Sequence, residues 1–442
     1  MPDSARSSDP AVQHQLDRLA ALSPGGDVLG LDRITRLLAR LDDPHRSLPP
    51  VFHVAGTNGK GSTCAFLRAA LEAAGHKVHV YTSPHLVRFN ERIRLGGTLI
   101  DDEYLASLLA EVFDAAGDIG PSFFEVTTAA AFLAFARTAA DAVILEVGLG
   151  GRLDATNVVP DPLVTGIAQL GLDHQAFLGT EPTQIAAEKA GIAKRGAPLV
   201  TRRYPQPIMD VIDRVAGAAG ATWLPCDGAW DVEITPQSLR YSDRAGTLAL
   251  PMPRLPGVHQ AMNAALAVAM IRHQHVLKVP PSAFRAAMGW TEWPARLQKL
   301  GPGPLVDRLP PGSDVWLDGG HNPSAVRVVA AFITDAVPAD RPFHVLCGLL
   351  ENKDADGVVA ALAGRSGTFH ALPVPGHAHH APSRLMSAAR GIGMTALGAK
   401  DPAAALGWIA RHADKDRPPA VLIMGSLYLA GEVLAANGQA PS

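Results

Sequence analysis

A glycine-rich segment at residues 53–63, HVAGTNGKGST, restricts the folds that this chain can adopt. It follows the apolar pair Val51-Phe52 and precedes CAFLRAAL at residues 64–71, which has the composition of a helix. A strand, a glycine-rich turn and a helix N-terminus, in that order, are typical of a phosphate-binding loop. Glycines let successive backbone amides turn toward an anion, and the helix end adds a favourable dipole. The segment therefore predicts an α/β domain that binds a nucleotide.

The side chains of the loop support this interpretation, although the pattern departs from the usual one. Lys60 supplies a positive charge for the β- and γ-phosphates, and Ser62 or Thr63 supplies a hydroxyl that can reach Mg²⁺. The common pattern G-x-x-x-x-G-K-[ST] requires glycine at Val54 and a hydroxyl at Gly61. The variant found here resembles the loop of the Mur ligase superfamily, whose members are ATP-dependent carboxylate–amine ligases. The alternative is a glycine-rich turn with an exposed lysine.

Length, charge and cysteine content narrow the class of protein. A chain of 442 residues is too long for one ordinary hydrophobic core, so we expect two or three domains. The formal net charge is −3 and no long basic run occurs, which disfavours a nucleic-acid partner. Three scattered cysteines, Cys64, Cys226 and Cys347, indicate neither a zinc site nor a disulfide framework and suit a reducing compartment.

The apolar residues are distributed as in a globular enzyme. They make up 47% of the chain, which suits a well-packed α/β protein. No apolar run is as long as a membrane span, and the first ten residues lack the apolar core of a signal peptide. We therefore expect a cytoplasmic enzyme that has no membrane partner and acts as a monomer.

Strand and helix patterns alternate along the chain. Apolar residues at helical spacing over residues 16–41 are interrupted at residues 23–26, SPGG, and buried strands are indicated at residues 77–81, 141–147 and 163–167. Short alternating strands between residues 230 and 250 indicate a small β excursion. Residues 301–304, GPGP, are the best linker candidate, and four strands alternate with helices after it.

The predicted fold class is therefore α/β with two domains. Residues 1–299 form a P-loop ATPase domain with a mostly parallel sheet, of the Mur ligase central type. Residues 300–442 form a Rossmann-like, doubly wound ligase domain of about the usual size.

Polar side chains interrupt or follow the predicted strands at the edge where ligands of an open α/β sheet bind. Glu146 lies near the end of an apolar strand, where a carboxylate is costly to bury without a metal ion or a basic side chain as partner. His174 follows the next strand, as a metal ligand or as a hydrogen-bonded turn histidine. The turn at Ser83-Pro84 is expected to face the nucleotide, with an ordinary Ser-Pro turn as the alternative.

Two further segments belong with these positions. Residues 148–157, GLGGRLDATN, place four polar side chains beside three glycines and predict a flexible binding loop, with a solvated turn as the alternative. Lys189 lies in a predicted helix over residues 184–192 and would ordinarily be an exposed helix lysine.

The histidine-rich run GHAHH at residues 376–380 is expected to be a solvated, mobile loop, because no second cluster of metal ligands accompanies it.

Six motifs occur in one order along the chain, namely GTNGKGS, TSPHL, EVGLGGRLDATN, LDH, EKAGI and DGGHNP. Together they resemble the folylpolyglutamate synthase / dihydrofolate synthase family, and the resemblance covers nearly everything from residue 30 onward. The motif at residues 146–157 and the one that contains His321 are the most specific. Gly320 stands where the family commonly has alanine, which is a small change.

The resemblance implies ATP and Mg²⁺ as cofactors, with a monovalent cation as a further candidate. It implies Ser83, Glu146 and His174 as metal ligands, and Lys189 as a lysine that CO₂ converts to a carbamate. The residues that it implies for the nucleotide are Asn58, Gly59, Lys60, Gly61, Ser62, Asn263, Arg296, Asp318 and His321. Those that it implies for the pteroyl group and its neighbouring loop are Phe124, Arg152 and Asp154. We expect Lys60, Lys189 and His321 to carry catalysis, and Ser426, at a helix N-terminus, to bind glutamate.

The implied reaction joins L-glutamate to dihydropteroate or to a reduced folate through an acyl phosphate, as part of folate biosynthesis and one-carbon metabolism. Closure about residues 301–304 is expected to bring Asp318 and His321 onto the nucleotide. A monofunctional folylpolyglutamate synthase and another Mur-type amino-acid ligase are the alternatives within the superfamily. A cell-wall ligase is disfavoured because only about fifty residues precede the loop, too few for its extra domain. An ATP-binding regulatory module is the alternative outside enzymes.

Overall fold

A computed structural model describes residues 7–22 and 29–441. The expected helix break at residues 23–26 lies outside the described residues. The chain divides into two compact units. The first comprises Met1–Pro84, Arg88–Arg254 and Val258–Glu292, and the second comprises His85–Val87, Leu255–Gly257 and Trp293–Ser442. None of the helices in the described part of the chain is long and apolar enough to cross a membrane.

The first unit is built on an eight-stranded sheet. Its strands are β1 Val51–Ala55, β2 Val78–Tyr81, β3 Ile93–Leu95, β4 Thr98–Leu99, β5 Ala142–Glu146, β6 Val164–Ile167, β7 Pro198–Thr201 and β8 Thr222–Pro225. Their order is β4-β3-β2-β5-β1-β6-β7-β8, in which β3 and β4 are antiparallel and the others pair in parallel. All five residues of β1 are buried, as expected for a central strand that is covered on both faces.

The helices of the first unit cover this sheet. They are α1 Pro10–Ala21, α2 Asp32–Ala39, α3 Lys60–Ala73, α4 Asp102–Ala116, α5 Phe123–Arg137, α6 Gln175–Leu178, α7 Pro182–Ala190, α8 Gln206–Ala219, α9 Val258–Arg272 and α10 Pro281–Trp290. A three-stranded antiparallel sheet follows α8 and confirms the predicted β excursion, with strands β9 Trp230–Ile234, β10 Ser238–Asp243 and β11 Gly246–Pro251. One core cluster joins α1, α2, α4 and α5 to the sheet, and another joins α7 and α8 to it.

The second unit is a smaller doubly wound domain. Its strands are β12 Gln298–Lys299, β13 Asp314–Leu317, β14 Phe343–Cys347, β15 Thr368–Ala371, β16 Thr395–Gly398 and β17 Ala420–Met424. Its helices are α11 Pro323–Ala336, α12 Ala355–Ala360, α13 Pro382–Gly391, α14 Pro402–His412 and α15 Leu427–Ala436. The strand order is β12-β13-β17-β14-β15-β16, and β12 is antiparallel. Along β17, Val421 and Ile423 enter one core cluster and Leu422 and Met424 the other, so both faces of the sheet are covered.

The boundary between the two units falls at Glu292 and Trp293, before the expected position at 299/300. Residues 301–304, expected to be the linker, lie inside the second unit. Asn437 Nδ2 donates a hydrogen bond of 3.1 Å to the carbonyl oxygen of Gly301, and its Oδ1 accepts one of 3.0 Å from the Leu305 amide. Glycine and proline therefore form a turn here that the last helix of the unit holds in place.

Candidate active site

The phosphate-binding loop leaves the carboxyl end of β1, at the centre of the first sheet. Gly56 and Gly59 have φ of +150° and +84°, which glycine adopts without strain. The amides of Thr57 and Asn58 both donate to the carbonyl oxygen of Gln169, at 2.8 and 3.0 Å. The loop is thus anchored to the segment that follows β6, and α3 begins directly after it at Lys60. Neighbouring β5 and β6 lie on either side of β1, the position where the strand order of an open sheet opens a crevice for ligands.

One side chain from α9 reaches the phosphate-binding loop. Asn263 is 2% exposed, and its Oδ1 lies where a β-carbon on Gly59 would come within 2.5 Å. Its Nδ2 donates to Gln260 Oε1 at 3.1 Å, whereas Oδ1 is buried and has no hydrogen-bond partner among the described residues. A buried acceptor of this kind is costly unless a ligand supplies a donor, so the position suits a nucleotide contact.

Two of the three predicted metal ligands meet where β2 and β5 end. The backbone amide of Ser83 donates to Glu146 Oε2 at 3.3 Å, and Glu146 is 5% exposed. His174 lies beyond the end of β6, on the other side of β1 from β5, and its φ is +50°. Its ring Nε2 is 4.0 Å from an oxygen of Asp173. A carboxylate and a hydroxyl at one point, with an imidazole from a neighbouring strand end, fit a hard divalent cation.

Lys189 is buried in the last turn of α7 and is not an exposed helix lysine. Burial, reinforced by the positive charge of Lys60, lowers the pKa of Lys189 to about 7. Carboxylates of Asp173, Asp154 and Glu188 act in the opposite direction. The lysine therefore shares an electrostatic environment with the phosphate-binding loop and the His174 segment. At neutral pH the Lys189 amine is therefore uncharged in a large share of the molecules, and only an uncharged amine reacts with CO₂.

The predicted binding loop at residues 148–157 wraps around the end of α7. The Arg152 amide donates to the Glu188 carbonyl oxygen at 2.8 Å, and Arg152 Nη2 lies 2.8 Å from Glu188 Oε1. Asn157 Nδ2 donates to the carbonyl oxygens of Arg152 and Gly191. The contact between Glu188 and Arg152 was not predicted from the sequence, although Glu188 directly precedes Lys189 in the EKAGI motif.

Asp154 organises the same loop from within. It is 2% exposed, and its carboxylate accepts hydrogen bonds from the amides of Leu149 and Thr156 at 2.8 and 3.0 Å. Burial raises the pKa of Asp154 above its usual value, and these donors oppose that shift. Thr156 Oγ1 is in turn 2.8 Å from Nε2 of His53, a fully buried residue of β1 whose pKa burial lowers to about 3. His53 was not predicted as part of this network, and its place in the fully buried strand β1 was the only signal for it.

Phe124 lies in the first turn of α5 and faces the end of β5. Its ring centroid is 5.9 Å from that of Tyr81, and a β-carbon on Gly148 would collide with it. Ser122 caps the helix and accepts the Glu125 amide at 3.3 Å. The ring is thus next to both strand ends that carry Ser83 and Glu146.

The second unit brings three of its predicted nucleotide residues together. Asp318 is buried and accepts hydrogen bonds from the amides of Leu297 and Gly320, at 2.8 and 2.7 Å. Burial raises the pKa of Asp318, and the guanidinium of Arg296 is the main influence that opposes it. His321 Nδ1 is 2.9 Å from the carbonyl oxygen of Gly319. Their approach to a nucleotide stays a prediction.

Ser426 follows β17, the strand that pairs with β13, and it is the N-cap of α15, where its Oγ accepts the Tyr428 amide at 3.1 Å. The ring of Tyr428 stacks on His377 with centroids 3.7 Å apart. His380 bonds the Lys353 carbonyl at 2.8 Å, and His379 forms a β-bridge with Leu350. The expectation of a solvated, mobile loop at residues 376–380 is therefore wrong, because three of its residues make ordered contacts.

The chain is similar to several proteins of known activity. It is 35% identical over 407 residues to the dihydrofolate synthase/folylpolyglutamate synthase of Escherichia coli, covering 92% of this chain and 90% of that protein. The solved structure of E. coli FolC in complex with DHPP and ADP matches it with a TM-score of 0.85 and 34% identity, over 97% of each chain. A bifunctional folylpolyglutamate synthase/dihydrofolate synthase from Yersinia pestis, complexed with AMPPNP and Mn, matches with a TM-score of 0.84 and 32% identity, over 97% of this chain and 99% of the other. No protein-family model matches the chain.

Proposed function

The chain belongs to the folylpolyglutamate synthase / dihydrofolate synthase family, and from that premise we propose that it joins L-glutamate to dihydropteroate and to reduced folates at the expense of ATP. The proposal is supported above all by one feature of the first unit. Three features lie together at the carboxyl edge of one mostly parallel sheet. They are the phosphate-binding loop, the Ser83–Glu146 contact and Lys189, whose lowered pKa leaves much of its amine uncharged at neutral pH.

The chemistry explains why ATP is needed. A carboxylate does not react with an amine in neutral water, because hydroxide is a poor leaving group. A carboxylate oxygen of the pteroyl substrate attacks the γ-phosphorus, the bond to the bridging oxygen of ADP breaks, and an acyl phosphate forms. The α-amine of L-glutamate then attacks the acyl carbon, inorganic phosphate leaves, and the amine loses a proton. Lys60 and the loop amides hold the phosphates in line and oppose their charge.

A divalent cation belongs to this reaction, and Ser83, Glu146 and His174 are the residues that would hold it. When bound, the cation neutralises phosphate charge. We propose that Lys189 reacts with CO₂, because a carbamate would turn a buried amine into an anion that belongs near a cation. A monovalent cation is a further candidate at this site.

The remaining assignments follow the division of the chain. We assign the first unit to ATP binding, with Asn58–Ser62 and Asn263 on the nucleotide, and the second unit to glutamate ligation. Phe124, Arg152 and Asp154 are assigned to the pteroyl substrate and its loop. Arg296, Asp318 and His321 are assigned to the nucleotide, and Ser426 to glutamate.

An ADP-release assay tests the proposal directly. Purified protein is given ATP and Mg²⁺ with dihydropteroate or tetrahydrofolate, each with and without L-glutamate. We expect ADP release that depends on glutamate with both acids. Release with tetrahydrofolate alone would restrict the enzyme to folylpolyglutamate synthesis. No glutamate-dependent release with either acid would contradict the proposal.

Lys60 gives a residue-level test of the phosphate-binding loop. Replacing Lys60→Ala removes the charge that faces the phosphates, so we expect kcat/KM to fall by about a hundredfold or more while the protein still folds. Lys415→Ala, at an exposed lysine of the second unit, is the control and should keep normal turnover. Near-normal turnover of the Lys60 variant would contradict its assignment.

We further propose that the enzyme is a cytoplasmic monomer that binds neither nucleic acid nor membranes. Three free and buried cysteines and a formal net charge of −3 support this assignment. Sedimentation at micromolar concentration should therefore give the mass of a single chain.

A further inference from the structure

The first turn of α5 contains a buried carboxylate with an arginine partner from a distant helix. Glu125 has a side chain that is 5% exposed, and it accepts the Ser122 amide at 2.6 Å. Arg33, on α2, directs its Nε at both carboxylate oxygens, at 3.0 and 3.3 Å. Ser122 Oγ completes the arrangement by accepting the Glu125 amide. Every oxygen of this carboxylate is therefore engaged in holding the start of α5.

Capping alone does not require the arginine. A capping box satisfies two backbone amides through its own two side chains, and many helices begin this way. The same helix has a second arginine–glutamate pair at its other end, where Arg137 and Glu111 lie 2.6 Å apart. That pair is 46% and 44% exposed, so water screens it and it adds little. In the Arg33–Glu125 pair the Glu125 side chain is 5% exposed and the Arg33 side chain 28%, so removal of the arginine would leave a buried carboxylate without its positive partner.

The residue that this arrangement controls is Phe124. It lies between Ser122 and Glu125, so the backbone that directs its ring is held on both sides. The ring occupies the space above Gly148, next to Tyr81, with no room for a β-carbon on that glycine. Gly148 is two residues from Glu146, at the end of β5. A rotation of the first helical turn would therefore move the ring relative to the strand end where the acid is proposed to bind.

We infer that Arg33 and Glu125 are positioning residues for the acid substrate, which fix Phe124 as a rigid platform for a planar aromatic acid. This inference rests on the proposed function, since it concerns recognition of the pteroyl group at that same site. It predicts an effect confined to the acid, because Arg33 and Glu125 hold the first turn of α5, which carries Phe124. Stacking on a fixed aromatic ring favours flat heteroaromatic acids over flexible aliphatic ones.

The test measures KM for dihydropteroate and for ATP separately in Arg33→Ala. We expect KM for dihydropteroate to rise about tenfold, with KM for ATP unchanged within twofold. Arg33→Lys should recover part of the loss, because an ammonium still donates to the carboxylate. Arg137→Ala, which removes the arginine at the far end of the same helix, is the matched control and should leave both constants unchanged. Equal increases of both constants in Arg33→Ala would overturn the inference.

A double-substitution cycle shows whether Arg33 acts through Phe124. In a Phe124→Ala background the platform is gone, so the Arg33→Ala substitution should raise KM for dihydropteroate no further. Additive effects would mean that Arg33 does not work through the ring and would also overturn the inference.

Should the Arg33→Ala protein fail to fold, the Gly148→Ala variant displaces the same ring with a methyl group. An unchanged KM for dihydropteroate in that variant would count against the inference. A wild-type protein without ligase activity would instead refute the proposed function.

Discussion

Lys189 lies in an environment that lysine rarely occupies. Lysine is rarely buried without a close partner, yet Lys189 is 4% exposed and lies within reach of the charge of Lys60. Its lowered pKa follows from this loss of solvation and not from any one contact. A carbamate would give this buried side chain the negative charge that the proposed cation site would favour, which is the reason for proposing it.

The carbamate can be detected directly. With ¹³C-labelled bicarbonate at pH 8, we expect a labelled carbamate signal by NMR, because about 90% of amines with a pKa of about 7 are then neutral. The signal and the ligase rate should both fall as the pH drops below 7, where the amine is protonated. Lys189→Met should abolish the signal, whereas Lys194→Met should keep it. Lys194 is a suitable control because burial lowers its pKa too, but it donates to the Asn157 carbonyl. A wild-type protein without the signal would refute the carbamate.

At the level of elements, the adjacent strands β14 and β15 carry a pair of histidines. His344 Nδ1 lies 3.3 Å from His370 Nε2, and both rings approach Trp408 of α14. Burial lowers the pKa of both histidines to about 4, and for His370 the proximity of His344 adds to the effect. Besides their backbone pairing, the two strands are thus in contact through neutral imidazoles, one of which donates a hydrogen bond that the other accepts.

This pair should make the stability of the second unit depend on pH. In the unfolded chain these histidines bind a proton near pH 6.5, whereas the folded state binds one only near pH 4. The unfolded state therefore holds more protons between these values, so the free energy of unfolding falls as the pH drops from about 6.5 to 4. The loss should be on the order of 2 kcal/mol for each histidine.

Urea unfolding at pH 7.0, 6.0 and 5.0, followed by the fluorescence of tryptophans, measures this slope. His344→Gln with His370→Gln should flatten it, because glutamine does not titrate. His273→Gln, at a histidine that directly follows α9 in the first unit and bonds the Ala269 carbonyl, is the control and should keep the slope. A wild-type slope that survives the double substitution would assign the pH dependence to other groups.

At the scale of the whole molecule, the chain does not finish one unit before it starts the other. His85–Val87 belong to the second unit, although the chain on both sides of them belongs to the first. Leu86 and Val87 pack against a core cluster of the second unit. The Leu86 carbonyl oxygen approaches Gly431 of α15 so closely that a β-carbon there would collide with it. The fold of the second unit therefore depends on a segment that is more than two hundred residues away in the chain.

Gly431→Ala tests this dependence. In an open helix position, glycine to alanine stabilises by about 0.5–1 kcal/mol, whereas forced overpacking destabilises by about 1–3 kcal/mol. We expect the second result at Gly431, and the first for Gly407→Ala in α14, where the nearest side-chain atom is 3.6 Å from the added carbon. Chemical denaturation of the two variants against the wild type measures both values. A Gly431→Ala protein as stable as the Gly407→Ala protein would mean that the Leu86 segment moves aside without cost.

The nucleotide loop, the mostly parallel sheets of the two units and the family were all predictable from the sequence, because each depends on neighbouring residues. Glycines at fixed places set the loop backbone, apolar runs predict buried strands, and motifs such as EVGLGGRLDATN carry a site in one short segment. The boundary was less predictable, since residues 301–304 have the composition of a linker but are held by Asn437. The histidine-rich run likewise looked solvated, although its contacts are with Lys353 and Tyr428.

Only the tertiary structure decided the contacts between distant residues. Arg33 and Glu125 are 92 positions apart, and no local pattern pairs them. The same holds for the Gln169 carbonyl that anchors the phosphate-binding loop, and for the burial that moves the pKa of Lys189 from its usual value to about 7. Backbone conformation follows from local sterics, which the order of residues specifies, whereas desolvation and charge pairing depend on which segments the fold brings together.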